Sequence, residues 1–174
     1  NCFQNQSTLI IGLSNTRQIN LKIFRNGKIQ MTGLKSEEEG YLAVNTLIKK
    51  ITDISEKVST FITSEVKTPV LTDFSIVLIN SDFSAGFRIK REKLYELLFK
   101  SGMYVSYEPD IYPGVNAKYY WNVNNHKSDG ICRCTGLCDG KGNGEGDGNC
   151  KKVTIATFQS GNVIITGARK NIQT

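Results

Sequence analysis

Short apolar runs rich in β-branched residues at positions 7–13, 19–24 and 29–32 predict three strands, the last two joined across a turn at 25–28. Ser36 with Glu39 three residues later forms a capping box, and the acidic residues of that first turn suit the positive end of a helix. Val44, Leu47, Ile48 and Ile51 then recur at helical spacing, so a helix is expected over about 37–53 with that stripe inward. Residues 55–70 are polar and β-branched and read as a connection. Strands are next expected at 74–80, with 83–89 as a continuation, and at 103–107. Between them a helix over 90–101 carries Leu94, Leu97 and Leu98 on one face and stops at Gly102. Glu108-Pro109 and Tyr112-Pro113-Gly114 break the pattern, after which 115–123 and 152–158 resume as strands.

Part of this pattern occurs twice. IFRNGKIQMTGLK at 23–35 and TFQSGNVIITGAR at 157–169 share an aromatic, a Gly three residues on, a later Thr-Gly and a closing base. The aligned positions are Phe24, Gly27, Thr32, Gly33 and Lys35 against Phe158, Gly161, Thr166, Gly167 and Arg169. Asn-Gly or Ser-Gly between two apolar strands is a β-hairpin signature, and its duplication implies two similar half-folds.

Side chains alternate across a sheet, which sorts each strand into two faces. In the second copy Val153, Ile155, Val163 and Ile165 share a side that should pack on helices. The opposite side carries Thr154, Ala156, Phe158, Ile164 and Thr166 and has no charge. A face exposed to water beside a one-sided helical layer should be more polar, so something covers it. A two-sheet core, a dimer, or a nucleic acid lying flat on the sheet would all serve. The first copy shows Asn20, Lys22, Phe24, Lys28, Gln30 and Thr32 on that side, which equally suits plain solvent.

The 174 residues carry a net charge of +6, compatible with an anionic partner. No apolar run approaches the ~20 residues that span a bilayer, and no signal segment opens the chain, so a soluble intracellular protein with no membrane partner is expected. The chain begins with Asn1 and Cys2 rather than Met and ends at Thr174 soon after the second hairpin, which suggests a fragment. No acid, base and nucleophile cluster, and the one histidine is His126, so an enzyme is not expected.

Residues 124–150 interrupt the ladder between two strands with a Cys/Gly-rich insertion. Cys132, Cys134, Cys138 and Cys150 have the spacing C-x-C-x3-C-x11-C, with His126 nearby. Four thiolates in an intracellular protein fit tetrahedral zinc, and a coreless loop with free or paired thiols is the alternative. With His126 as a ligand one cysteine would be spare. The run GKGNGEGDG lacks the GK[ST] of a phosphate loop and the closing Glu of a calcium loop. Cys2 reads as a small residue near a cut end.

The duplicated F-x-x-G-x-x-x-x-T-G-x-K/R hairpin, with KSEEEG after its first copy, resembles the stirrup hairpin and following helix of TATA-box-binding proteins. SYEPDIYPG at 106–114 is similar to that family's SYEPELFPG, and FSIVLI with FRIKREKL resembles the start of its second repeat. The insertion is foreign to cellular members and gives the chain the look of a divergent version carried by large DNA viruses.

The resemblance implies that Phe158 and Tyr112 form one pair of wedging aromatics and that Phe24 is half of another. Counting without gaps puts Ser7 opposite Phe24, and Phe3 fits if the intervening hairpin is longer. Thr32 and Thr166, with Gln30 and Ile164, would face the bases, and Lys28, Lys35 and Arg169 the phosphates. Asn162 replaces a base at the position matching Lys28. The family's central asparagine falls on Leu78 without gaps, and Asn80 on the same face could substitute after a small register change.

The expectation is an α+β fold of two pseudo-repeats, each a curved antiparallel sheet with helices on its convex side, together a saddle. The first, N-terminally incomplete, repeat takes 1–55, the connection 56–70, and the second repeat 71–174. The resemblance implies a transcription initiation factor that binds and bends duplex DNA through an AT-rich minor groove. It would work beside a general transcription factor or RNA polymerase of the same system. Its place would be the nucleus, a cytoplasmic site of viral transcription, or the virion. The rival reading keeps the fold as a protein-interaction module in transcription that has lost DNA binding.

Overall fold

The computed structural model describes residues 5–14, 17–58 and 69–169. The chain divides into two compact units, Asn1–Ser75 and Ile76–Thr174.

In the first unit, β1 (Gln6–Ser14), β2 (Arg17–Phe24) and β3 (Ile29–Thr32) form an antiparallel sheet in chain order. The helix α1 (Glu37–Ser55) follows. Alternation puts Ile19, Leu21, Ile23, Ile29 and Met31 on one face, where they pack on Leu47 and Ile51 of the helix. Ala43, Val44 and Leu47 are buried, as the apolar stripe requires. Ser36 caps the helix by accepting from the Glu39 amide at 3.4 Å. The Glu39 carboxylate accepts from the Lys35 amide at 2.8 Å and pairs with Arg17 of β2, so the cap also ties helix to sheet. The Lys35 amide and then Arg17 hold that carboxyl below its usual range.

The strand expected at 74–80 begins only at Ile79. Phe74 instead stacks on Tyr41 of α1, ring centroids 4.7 Å apart, in a notch opened by Gly40. A Cβ on Gly40 would stand 2.5 Å from the Phe74 ring. Phe74 is therefore taken up by the first helix rather than by a ladder, while Ile76, Val77 and Leu78 remain exposed.

The second unit contains β4 (Ile79–Ser84), α2 (Arg91–Lys100), β5 (Tyr104–Ser106), β6 (Val115–Trp121), β7 (Lys151–Thr157) and β8 (Asn162–Ala168). Its five strands are antiparallel in the order β4-β8-β7-β6-β5, and α2 packs on β5 and β6. Val115, Ala117, Val153 and Val163 are buried on one face. On α2 Leu94 and Leu98 are half-buried, whereas Leu97, expected inward, is 57% exposed. Residues 83–89 do not continue β4 beyond Ser84. The chain turns at Gly86, and the Ala85 and Ile89 amides donate to Gly161 and Gln159 at 2.8 and 3.0 Å.

The insertion between β6 and β7 folds back on the strand ends. Gly130, Gly140 and Gly144 lie against the rings of Tyr119, Tyr120 and Trp121 in turn, and a Cβ at each would stand within 3.0 Å of its neighbours. Three consecutive aromatics thus supply the insertion with a floor, and glycine lets its backbone reach them. Amides and carbonyls are also paired: Tyr120 to Gly130 at 2.8 Å, Val123 to Gly144 at 2.9 Å, and Lys152 to Gly140 at 2.7 Å. No helix among the described residues is long and apolar enough to cross a membrane.

Candidate nucleic-acid interface and metal centre

The two hairpin turns are built alike. The Phe24 amide donates to the Lys28 carbonyl and the Gly27 amide to the Phe24 carbonyl, both at 2.9 Å. In the second turn the Phe158 amide donates to Asn162 at 2.9 Å and the Gly161 amide to Phe158 at 3.0 Å. Asn26 Oδ1 accepts from the Lys28 amide at 3.1 Å, and Ser160 Oγ accepts from the Asn162 amide at 3.3 Å. Gly27 and Gly161 stand at φ of 82° and 92°, in the left-handed region such a turn demands.

Strand register decides what each sheet shows on the side away from its buried face. In the first unit Asn20 lies opposite Thr32 and Lys22 opposite Gln30, with Thr8 and Ile10 beyond them and Phe24 at the end. Lys22, Lys28, Gln30, Thr32 and Lys35 are all exposed. Ser7 pairs with Ile23 and so faces the helix side, while Gln6 lies opposite Phe24. Ser7 therefore cannot be the partner of Phe24, and Phe3 lies outside the described residues, as does Cys2.

In the second unit one row reads Asn80, Thr166, Thr154, Lys118, Tyr104, and the next Asp82, Ile164, Ala156, Asn116, Ser106. A register shift between Ile79 and Asn80 brings Asn80 beside Thr166, and Leu78 stays outside the strand. Tyr104 is 65% exposed and Ile164 36% exposed. Tyr112 meets Phe158 edge-on, centroids 5.7 Å apart, beyond the end of this face. Arg169 is exposed and donates to Asn143 of the insertion at 3.2 Å, so it is shared with that loop.

Asp82, Lys118 and Lys152 were missed as members of this face. The signal for them lies outside the duplicated hairpin: alternation in 115–121 sets Asn116, Lys118 and Tyr120 apart from Val115, Ala117, Tyr119 and Trp121. Lys118 Nζ donates to Thr154 Oγ1 at 2.9 Å, and burial, then the nearby Lys152, pulls its pKa down. The face thus holds charges of both signs.

The four cysteine Sγ atoms of the insertion lie within 4.8 Å of one another. The thiols are free, with Cys150 buried and its sulfur 3.8 Å from Cys132 and 3.4 Å from Cys134. Tetrahedral zinc–thiolate bonds of ~2.3 Å require sulfurs ~3.8 Å apart, which this cluster approaches. Asn122 Nδ2 points at Cys150 Sγ at 3.4 Å, the outer hydrogen bond a thiolate ligand would use. Burial pushes the Cys150 thiol well above its usual range, a penalty that a bound cation would offset. His126 is exposed and outside the group, so all four cysteines are available together.

A model of the family described as transcription factor TFIID, or TATA-binding protein, matches residues 4–54. The chain is 31% identical over 186 residues to a TATA-box-binding protein-like protein of Acanthamoeba polyphaga mimivirus. That match covers 96% of this chain and 43% of the relative, so the chain spans less than half of that protein's length. The fold is that of Methanococcus jannaschii TBP, with a TM-score of 0.53, 22% identity, and coverage of 95% of this chain and 69% of the archaeal one. The matched first hairpin and helix and the viral relative along nearly the whole chain make this chain similar to TATA-box-binding proteins, and it shares the fold of the archaeal one.

Proposed function

We propose that the chain binds and bends duplex DNA through an AT-rich minor groove as a transcription initiation factor. The observation that carries this reading is the Tyr112–Phe158 ring pair at the tip of a duplicated hairpin, beside a sheet face on which Tyr104 and Ile164 are exposed. Minor-groove edges carry little sequence information, so binding there depends on groove width, deformability and rigid apolar wedges. Phe158 and Tyr112 supply one wedge and Phe24 half of another. Thr32, Gln30, Thr166, Ile164 and Asn80 face the bases, and Lys28, Lys35 and Arg169 meet phosphates. The chain acts as a binding factor without catalysis. It is organised as repeats 1–55 and 71–174 around the connection 56–70, and its partner is a general transcription factor or RNA polymerase, in the nucleus, a cytoplasmic site of viral transcription or the virion.

Zinc is the cation we assign to Cys132, Cys134, Cys138 and Cys150. It would crosslink a loop that has little apolar core, leaving the chemistry of the chain unchanged. Metal analysis of protein purified without chelator should give about one zinc per chain; a content near zero removes the assignment.

A second reading, a protein-interaction module without DNA binding, draws on the polar Lys22 and Gln30 and on the absence of a ring partner for Phe24 among the described residues. A gel shift of AT-rich duplex separates the two. DNA binding predicts a shift that weakens with salt, with a log–log slope of about −3 for three phosphate contacts. Phe158→Ala with Tyr112→Ala should abolish it. No shift at low salt would leave the interaction reading standing.

A further inference from the structure

We propose that Asp82 sets base preference within this interface, by accepting a hydrogen bond from the guanine N2 amino group so that one step of the site is G·C; this rests on the minor-groove reading above. Asp82 lies in β4, the edge strand of the second sheet, opposite Ile164 and on the face that carries Asn80 and Thr166. It is exposed, and no hydrogen bond or ion pair engages it among the described residues. With Asn80, Asn162 and Ile164 it lines a hollow of about 350 Å3. Ile164 and the buried Ala156 separate it within its row from Asn116, so Lys118 of the neighbouring row is two strands further from it than Ile164.

The chemistry of the two partners is one-sided. A carboxylate can only accept, and A·T pairs offer only acceptors in the minor groove, adenine N3 and thymine O2. Asp82 set against them would lose its water and gain repulsion. Guanine N2 is the one donor on that edge, and its bond to a carboxylate is charge-assisted. Asn80 carries both donor and acceptor and tolerates either pair. Selectivity on this face therefore concentrates at Asp82.

The test uses the 174-residue chain and an AT-rich duplex in which single A·T pairs are replaced by G·C and then by inosine·C, which lacks only the N2 amine. At one position G·C should bind about tenfold tighter than inosine·C. Asp82→Val should still bind, with that ratio reduced to about twofold or less. Duplex binding without any position that prefers guanine to inosine overturns the role of Asp82 and leaves the DNA-binding reading intact. Discrimination that persists in Asp82→Val does the same. Failure of the chain to bind any of the duplexes overturns both. Because the inosine exchange alters the DNA alone, the first comparison does not depend on how a variant folds.

Discussion

The two hairpin tips share a turn and differ in what supports it. Nothing among the described residues lies within 4 Å of where a Gly27 Cβ would stand, whereas a Cβ on Gly161 would meet the Phe87 carbonyl oxygen at 2.1 Å. The second turn also receives the Ala85 and Ile89 amides, and Phe158 has Tyr112 at its edge. The first tip carries Lys28 where the second carries Asn162. One local sequence therefore yields a braced apolar tip in one unit and a cationic, less supported tip in the other. What a hairpin does is settled by its neighbours as much as by its turn.

The largest expected difference between the units comes from the insertion. A chelator, or Cys150→Ser, should release the metal and destabilise the second unit by about 4 kcal/mol, the linkage expected for a ligand held at ~1,000 times its Kd. Trp121 is the chain's single tryptophan and its ring lies beneath Gly144, so its emission reports on this unit. A red shift on chelation is expected, with the first unit's helical circular dichroism retained. Unchanged emission would mean that the glycine–aromatic contacts alone hold the insertion.

The rings should follow. Phe158→Ala should weaken duplex binding about 30-fold or more, as a central anchor does, and Phe24→Ala by no more than about tenfold. Equal losses, measured by fluorescence anisotropy, would show that support from Tyr112 adds nothing.

How much of this was legible beforehand depended on whether a feature was local. The hairpins could be read because Phe, Gly and Thr-Gly fix turn and register within a dozen residues, and the helix, expected over about 37–53 and found at Glu37–Ser55, because cap and stripe agree. The fate of Phe74 could not be read, since an apolar run does not say whether a strand or a notch at Gly40 will take it. Leu97 failed for a related reason: helical spacing names a face but not how wide the layer beneath it is. At the candidate interface the rings of Phe158 and Tyr112 are in contact, and Ser7 fell on the wrong side because one residue of register reverses a strand. The four cysteines could be read as one candidate ligand set from chemistry alone, while the aromatic floor beneath them required three-dimensional contacts.

A smaller effect concerns the first unit alone. Ser36→Ala should cost about 1 kcal/mol of its stability, the usual worth of a side-chain N-cap. The Glu39 carboxylate is held below its ordinary value of 4.5, so its tie to Lys35 and Arg17 is complete above that pH and is lost as pH falls through the lowered folded-state value. Acid unfolding followed by helical circular dichroism should therefore lose part of its steepness in Glu39→Gln. A superimposable profile would remove Glu39 from the acid response.

The smallest change should bear most directly on the asymmetry of the tips. Asn162 is exposed and its amide is already engaged by Ser160 Oγ, so replacing the side chain leaves the turn's backbone bonds in place. Asn162→Lys would give the second tip the cation that Lys28 gives the first. One added phosphate contact should steepen the log–log salt dependence of binding by about 0.9 and raise low-salt affinity severalfold, with base preference unchanged. Lys28→Asn should flatten the slope by the same amount. If neither substitution moves the slope, the tips do not meet phosphates, and the charge difference between them belongs to something other than DNA.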